Sequence, residues 1–156
     1  MSLAYLSPDE FYLSWRFFED AEKYTLLSQE ERRHFKPLSE ESSRGLWAEW
    51  GRPLEDQWFR YGVERPTPTI IEGVDGDWVG EVRAELAARL PFPPEVTLFF
   101  FWNPTVGVET TWGLFLEHWD DFCYPSDEGN IGIVPDRREV LIYQEERFWV
   151  VSRRSD

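Results

Sequence analysis

Glu95-Val96-Thr97-Leu98-Phe99-Phe100-Phe101-Trp102 is the stretch on which the fold turns. Pro91, Pro93 and Pro94 stand just before it and Asn103-Pro104 just after, so the run is too short and too tightly bracketed to be a helix. In an extended chain Val96, Leu98, Phe100 and Trp102 point to one side, while Phe99 and Phe101 point to the other. A strand that is apolar on both faces belongs in the middle of a sheet, with a covering layer on each side.

Downstream, Val106 to Glu109 reads as a short partner strand. Trp112, Phe115, Leu116, Trp119 and Phe122 then recur at helical spacing, which predicts one amphipathic helix whose other face carries Glu117, His118 and Asp121. After a loop over Pro125-Ser126-Asp127-Glu128-Gly129-Asn130 comes a predicted meander: Ile131–Val134, a turn at Pro135-Asp136, Glu139–Tyr143, a turn near Glu145, and Phe148–Val151. Upstream, Ser7-Pro8-Asp9-Glu10 and Ser28-Gln29-Glu30-Glu31 are capping boxes that open helices, the second stopped by Pro37. The first places Phe11, Trp15 and Phe18 along one helix face. Another helix starts at Ser39 and runs through Leu46, Trp47 and Trp50 to Gly51. Residues 52–76 lose all period and read as a long connection, aromatic through Trp58, Phe59 and Tyr61. A helix capped by Asp77 carries Val79, Val82, Leu86 and Leu90 on one face. Helices gather in the first half and strands in the second. This order predicts an α+β fold, a single domain over residues 1–156, with N-terminal helices packed on a largely antiparallel sheet built mainly by the C-terminal half.

A length of 156 residues suits one core, and 42% hydrophobic residues with nine tryptophans and twelve phenylalanines can fill it without disulfides or metal. Cys123 is the only cysteine, which rules out an internal disulfide and any zinc site needing two thiolates. No apolar run is long enough to span a bilayer, and the N-terminus has no signal-peptide pattern, so a reducing, cytoplasmic setting is expected. Sixteen basic against thirty acidic residues give a net charge of −14. Such a surface repels phosphate backbones and anionic headgroups, which disfavours nucleic acid and membranes as partners. The charge is also uneven. From Leu90 to Asp136 there is no Lys or Arg, yet Glu95, Glu109, Glu117, Asp120, Asp121, Asp127, Glu128 and Asp136 all fall there.

The run Glu109-Thr110-Thr111-Trp112-Gly113-Leu114-Phe115, followed by Trp119, Phe122 and C-terminal strands, resembles a family of small uncharacterised bacterial proteins, best over the C-terminal third. That resemblance implies no activity and transfers no catalytic residue. In size, acidity and helix-then-meander order alone, the chain is also similar to bacterial immunity proteins that neutralise secreted toxins, which implies an inhibitory partner-binding role.

Glu117, Asp120, Asp121, Asp127 and Glu128 are the candidate binding residues. On one outer face they would steer and dock a basic protein; the blander alternative is a solvated helix face and a polar turn. His118, one helical turn from Asp121 and beside Glu117, is the candidate acid or base, with Glu109 or Asp127 as a completing carboxylate. Against that stands a simple exposed histidine, since spacing places no nucleophile or second histidine beside it; His34 is blander still. Asp75-Gly76-Asp77 and Ser126–Asn130 offer oxygen ligands but fit no calcium loop. Gly73, Gly76 and Gly80 lack the Lys-Ser/Thr of a phosphate loop. Cys123 among carboxylates reads as core, as do most tryptophans, so no cofactor and no metal is expected.

Two function classes follow. The first is a small interaction domain that binds a basic partner, immunity-like or inhibitor-like and not an enzyme; it expects an exposed His118 with no concave site around it. The second is an enzyme or ligand-binding domain with a pocket between the sheet and the 112–122 helix; it expects His118 to meet Glu109 or another carboxylate at hydrogen-bond distance. A third use of the aromatic excess is a homodimer surface.

Overall fold

Serine-headed turns open the N-terminal third. The computed structural model describes residues 2–51, 69–71, 79–124, 129–144 and 147–152. Ser7 donates from N and Oγ to the Glu10 carboxylate at 3.0 and 2.9 Å, and the chain winds a single tight turn over Pro8–Glu10 before a wide turn at Trp15–Glu19. The continuous helix expected there is not formed: Phe11 is buried, Phe18 half-buried and Trp15 exposed. Gln29–Arg32 (α1) carries the second capping box complete, and Pro37 closes the segment. Lys36–Pro37 (β1) is followed by Glu40–Leu46 (α2), whose Ser39 cap accepts the Ser42 N–H at 3.1 Å, and by a second wide turn at Trp47–Gly51. The expected connection over 52–76 and the Asp77 cap lie outside the described residues, apart from Thr69–Ile71 (β2).

Val79–Arg89 (α3) buries Val82 and Leu86 and stops at the prolines. Thr97–Asn103 (β3) and Val106–Thr111 (β4) form the hairpin, and the chain then turns through Trp112–Glu117 (α4) and Trp119–Phe122 (α5). Asn130–Ile133 (β5), Glu139–Gln144 (β6) and Arg147–Ser152 (β7) complete the meander. The strands pair in the order β1-β4-β3-β5-β6-β7-β2, and every pairing is antiparallel. The α+β class and the C-terminal origin of the sheet hold. The edge strands β1 and β2 come from the first half and were not expected.

The alternation of β3 divides the core into two layers. Leu98, Phe100 and Trp102 join Val82, Leu86, Trp112, Phe115, Trp119 and Phe122 from α3, α4 and α5, together with Phe11, Phe17 and Phe35 from the N-terminal turns. Phe99 and Phe101 point the other way, onto Leu38, Leu46 and Trp47 with Ile131, Ile133 and Val140. The ring of Trp102 stacks on Phe122 at 5.7 Å and 8°, and its Nε1 donates to the Phe122 carbonyl at 2.8 Å, so the large ring is buried with its one polar atom satisfied. Trp119 does the same toward the Val79 carbonyl at 3.0 Å. At the β1 edge, Leu6 N donates to the Pro37 carbonyl at 2.8 Å and Tyr5 bridges Leu38. No described helix is long and apolar enough to cross a membrane.

Gly107 of β4 faces Phe101 of β3, and a methyl there would come within 2.6 Å of the Phe101 ring, whereas Gly80 on α3 has nothing within 4 Å. Gly107→Ala is therefore expected to destabilise by about 1–3 kcal/mol through overpacking. Gly80→Ala is expected to be neutral or to stabilise by roughly 0.5 kcal/mol. Urea unfolding of both variants checks this, and equal effects would contradict the packing described.

Candidate functional site

The site grows from the way β4 hands the chain to α4. Thr111 Oγ1 accepts the Leu114 N–H at 3.2 Å and starts the helix. A side chain at Gly113 would press into Pro94 at 2.9 Å, and its N–H donates to the Pro94 carbonyl at 2.9 Å, so glycine is what lets the helix lie against the proline segment. The aromatic spacing predicts one helix from Trp112 to Phe122, but the helix breaks at His118, whose backbone sits at φ −117°, ψ 22°. The cause lies on α3. Arg83 donates from Nε to the Leu116 carbonyl at 2.9 Å and from Nη2 to the Glu117 carbonyl at 3.0 Å. Those carbonyls would otherwise take the N–H groups of residues 120 and 121. Asp121 N instead bonds the His118 carbonyl at 2.8 Å, and a new turn begins.

The break drives His118 inward. Its side chain is 4% exposed, so the exposed histidine expected from the sequence is corrected: the kink turns the ring toward the N-terminal third. Nε2 lies 2.6 Å from Glu31 Oε2 on α1, and Nδ1 lies 3.8 Å from Asp121 Oδ2, an ion pair rather than a hydrogen bond. The carboxylate of Glu31 is divided between two tasks, because its Oε1 accepts the Ser28 N–H at 2.9 Å. The capping box thus holds the acid through contacts that do not involve the histidine.

The electrostatics follow from this enclosure. Burial works against charge on His118, but the carboxylates of Asp121 and Glu31 outweigh it and hold its pKa above the ordinary 6.5. Burial also pushes Glu31 upward, yet the Ser28 N–H and the His118 ring pull harder and leave it below 4.5. Burial and the neighbouring Asp121 raise Asp120 above 3.8.

The other candidates separate. Glu109 does not approach His118: it stands opposite Phe99 on the other face of the sheet, where Tyr5 Oη donates to it at 2.8 Å and Lys36 Nζ lies at 3.7 Å. Of the five acidic binding candidates, Glu117 is exposed, Asp120 half-buried and Asp121 buried at 4%, so Asp121 is corrected from a surface residue to part of the interior. Its own backbone carbonyl lies 3.5 Å from Arg16 Nη1. Asp127 and Glu128, with Asp75, Gly76 and Asp77, lie outside the described residues. Cys123 is buried and His34 exposed. Among the described residues no group of three or more His, Cys, Asp or Glu is placed to hold a metal ion. Sequence reasoning missed Glu31 as the partner of His118. Its only signal was the capping box, which fixed where the carboxylate stands but not what it meets.

A concave feature lies at one end of β3 and β5, with Glu109 in its lining. Where the chain enters β3 and leaves β5, a groove of about 620 Å³ is walled by Val96, Phe99, Val134 and Pro135 and carries the carboxylates of Glu95, Glu109 and Asp136. All three acids belong to the stretch without Lys or Arg.

The fold is that of an α+β domain with a seven-stranded antiparallel sheet covered on both faces. Residues 75–151, about half of the chain, match the model of a family described as protein of unknown function (DUF2947). The match takes in α3 to α5, the strands from β3 onward, His118 and Asp121; Glu31 lies outside it. No curated protein and no solved structure matches the chain.

Because His118 and Glu31 form a largely enclosed charge-assisted pair, His118→Gln and Glu31→Gln should each cost about 1–3 kcal/mol. A double-mutant cycle read by urea unfolding should give a coupling of about 1–2 kcal/mol. A coupling near zero would mean that the 2.6 Å contact contributes nothing.

Proposed function

We propose that this protein is a cytoplasmic interaction domain that binds a basic segment of a partner protein, in an inhibitory or immunity-type complex, rather than an enzyme. The groove carries this reading. Glu95 and Asp136 are exposed at its rim, Glu109 is half-buried within it, and apolar walls lie between them. Lysine and arginine side chains suit such a place, since their aliphatic stems can lie on Val96, Val134 and Pro135 while the charged heads reach the carboxylates. The net charge of −14 supports the same choice: it speeds the approach of a cationic surface and works against nucleic acid and anionic lipid. The exposed Glu117 would extend the field on the other side of the sheet. The buried contact of His118 with Glu31 at 2.6 Å is what the enzyme reading expects of the histidine, yet a substrate would have to displace Glu31 to reach a ring that is 4% exposed.

The test is fluorescence anisotropy with a labelled peptide of alternating arginine and leucine. Glu95→Gln with Asp136→Asn should weaken binding by about tenfold or more. Glu40→Gln with Glu41→Gln, which removes the same charge from the exposed start of α2, should change it by less than about threefold. Equal loss in the two double variants would reduce the attraction to bulk charge and remove the groove from the account.

A further inference from the structure

The single turn of α1 is held in an unusual way. Among residues 28–34 all but Glu31 are exposed, while Leu27 and Phe35 on either side are buried in the core. The turn is therefore a short bridge between two fixed points. Its side chains give it two described holds on the body of the protein: Glu31 on His118 at 2.6 Å, and the Arg32 guanidinium 5.0 Å over the Phe18 ring.

The first of these depends on a proton. A neutral imidazole has one N–H, and His118 has a carboxylate at each nitrogen. Charged, the ring donates to Glu31 and attracts Asp121. Neutral, it must turn a lone pair toward one of the two acids. Other charges near the ring are Asp120 beside Asp121, Arg83 on the carbonyls of Leu116 and Glu117, and Arg16 at the Asp121 carbonyl; Glu117 points outward. Arg83 is spent on those two carbonyls, and the Arg16 guanidinium also lies 5.4 Å over the Trp15 ring and 5.1 Å over the Tyr124 ring.

We propose that the Gln29–Arg32 turn is a proton-held clasp: the His118 imidazolium fastens it to the joint between α4 and α5, and loss of that proton to solvent lets the turn swing out about Leu27 and Phe35. Opening the clasp would bring the imidazole of His118 and the carboxylate of Asp121, both now interior, to the surface together. The sign follows from the directions of the pKa shifts. His118 is raised, so the hold is complete at and below its ordinary 6.5 and is lost as pH climbs through the higher folded value. Glu31 is lowered, so on the acid side the hold persists below 4.5 and is lost only as pH falls through the lower folded value. The clasp is shut between those two limits.

Amide hydrogen exchange of the whole chain, converted to protection factors, tests this at about pH 6 and about pH 9. Protection at Glu31, Arg32 and His34 should fall by about tenfold or more at the higher pH, in step with the His118 ring titration followed by NMR, while Phe100 and Ile142 in the sheet keep theirs. His118→Gln should leave the three turn amides weakly protected at both pH values. Glu31→Gln keeps an acceptor but no charge, so it should abolish the pH dependence even if the histidine variant does not fold. Constant protection of the turn, or a loss shared equally by the sheet, would overturn the proposal.

Discussion

A strand that is greasy on both faces has to be covered twice, and most of this structure answers that demand. Leu98, Phe100 and Trp102 call for one layer, Phe99 and Phe101 for another, and the chain supplies them from different places. α2 and the turn after it cover the second face. The first face is larger and takes α3, α4, α5 and the aromatic turns before α1. Trp112, Phe115, Trp119 and Phe122 all lie on that face, and the break at His118 falls between Phe115 and Trp119. The buried charge network is thus a by-product of packing: the bend that seats Trp119 and Phe122 also carries His118 inside, where it needs a partner.

What was readable in the sequence divides along the line between local and distant causes. The alternation of β3, the serine caps of α1 and α2, the proline stop after α3 and the C-terminal meander all rest on neighbours within a few residues, and these stand as expected. The His118 break was not readable, because the hydrophobic spacing runs through it without interruption and its cause, Arg83, lies 33 residues away from the carbonyl it takes. Glu31 hid differently. Its capping role was legible and seemed to account for it, while the histidine it also holds is 87 residues along the chain. Lys36–Pro37 was invisible as a strand because two residues carry no period.

The charge pattern needs the same distinction. The stretch without cations is a property of sequence; in space, side chains from outside it come to several of its members. Lys36 and Tyr5 reach Glu109, and Arg83 reaches the backbone at Glu117. Asp121 has gone inside. Among the described residues of that stretch, Glu95, Glu117 and Asp136 are the acids left exposed, so an electrostatic account of this protein has to be written site by site rather than from net charge.

The β1 edge has a consequence for how this protein behaves in a crowd. A sheet with so many aromatic and branched side chains is the kind that adds strands from its neighbours, and an open rim would invite them. Here the rim is two residues long, Pro37 has no N–H to offer, and its carbonyl is already taken by Leu6. Along Lys36–Pro37 a neighbouring molecule meets the Tyr5–Leu6 segment rather than an open strand edge. The chain keeps an adhesive interior and a margin that does not propagate it.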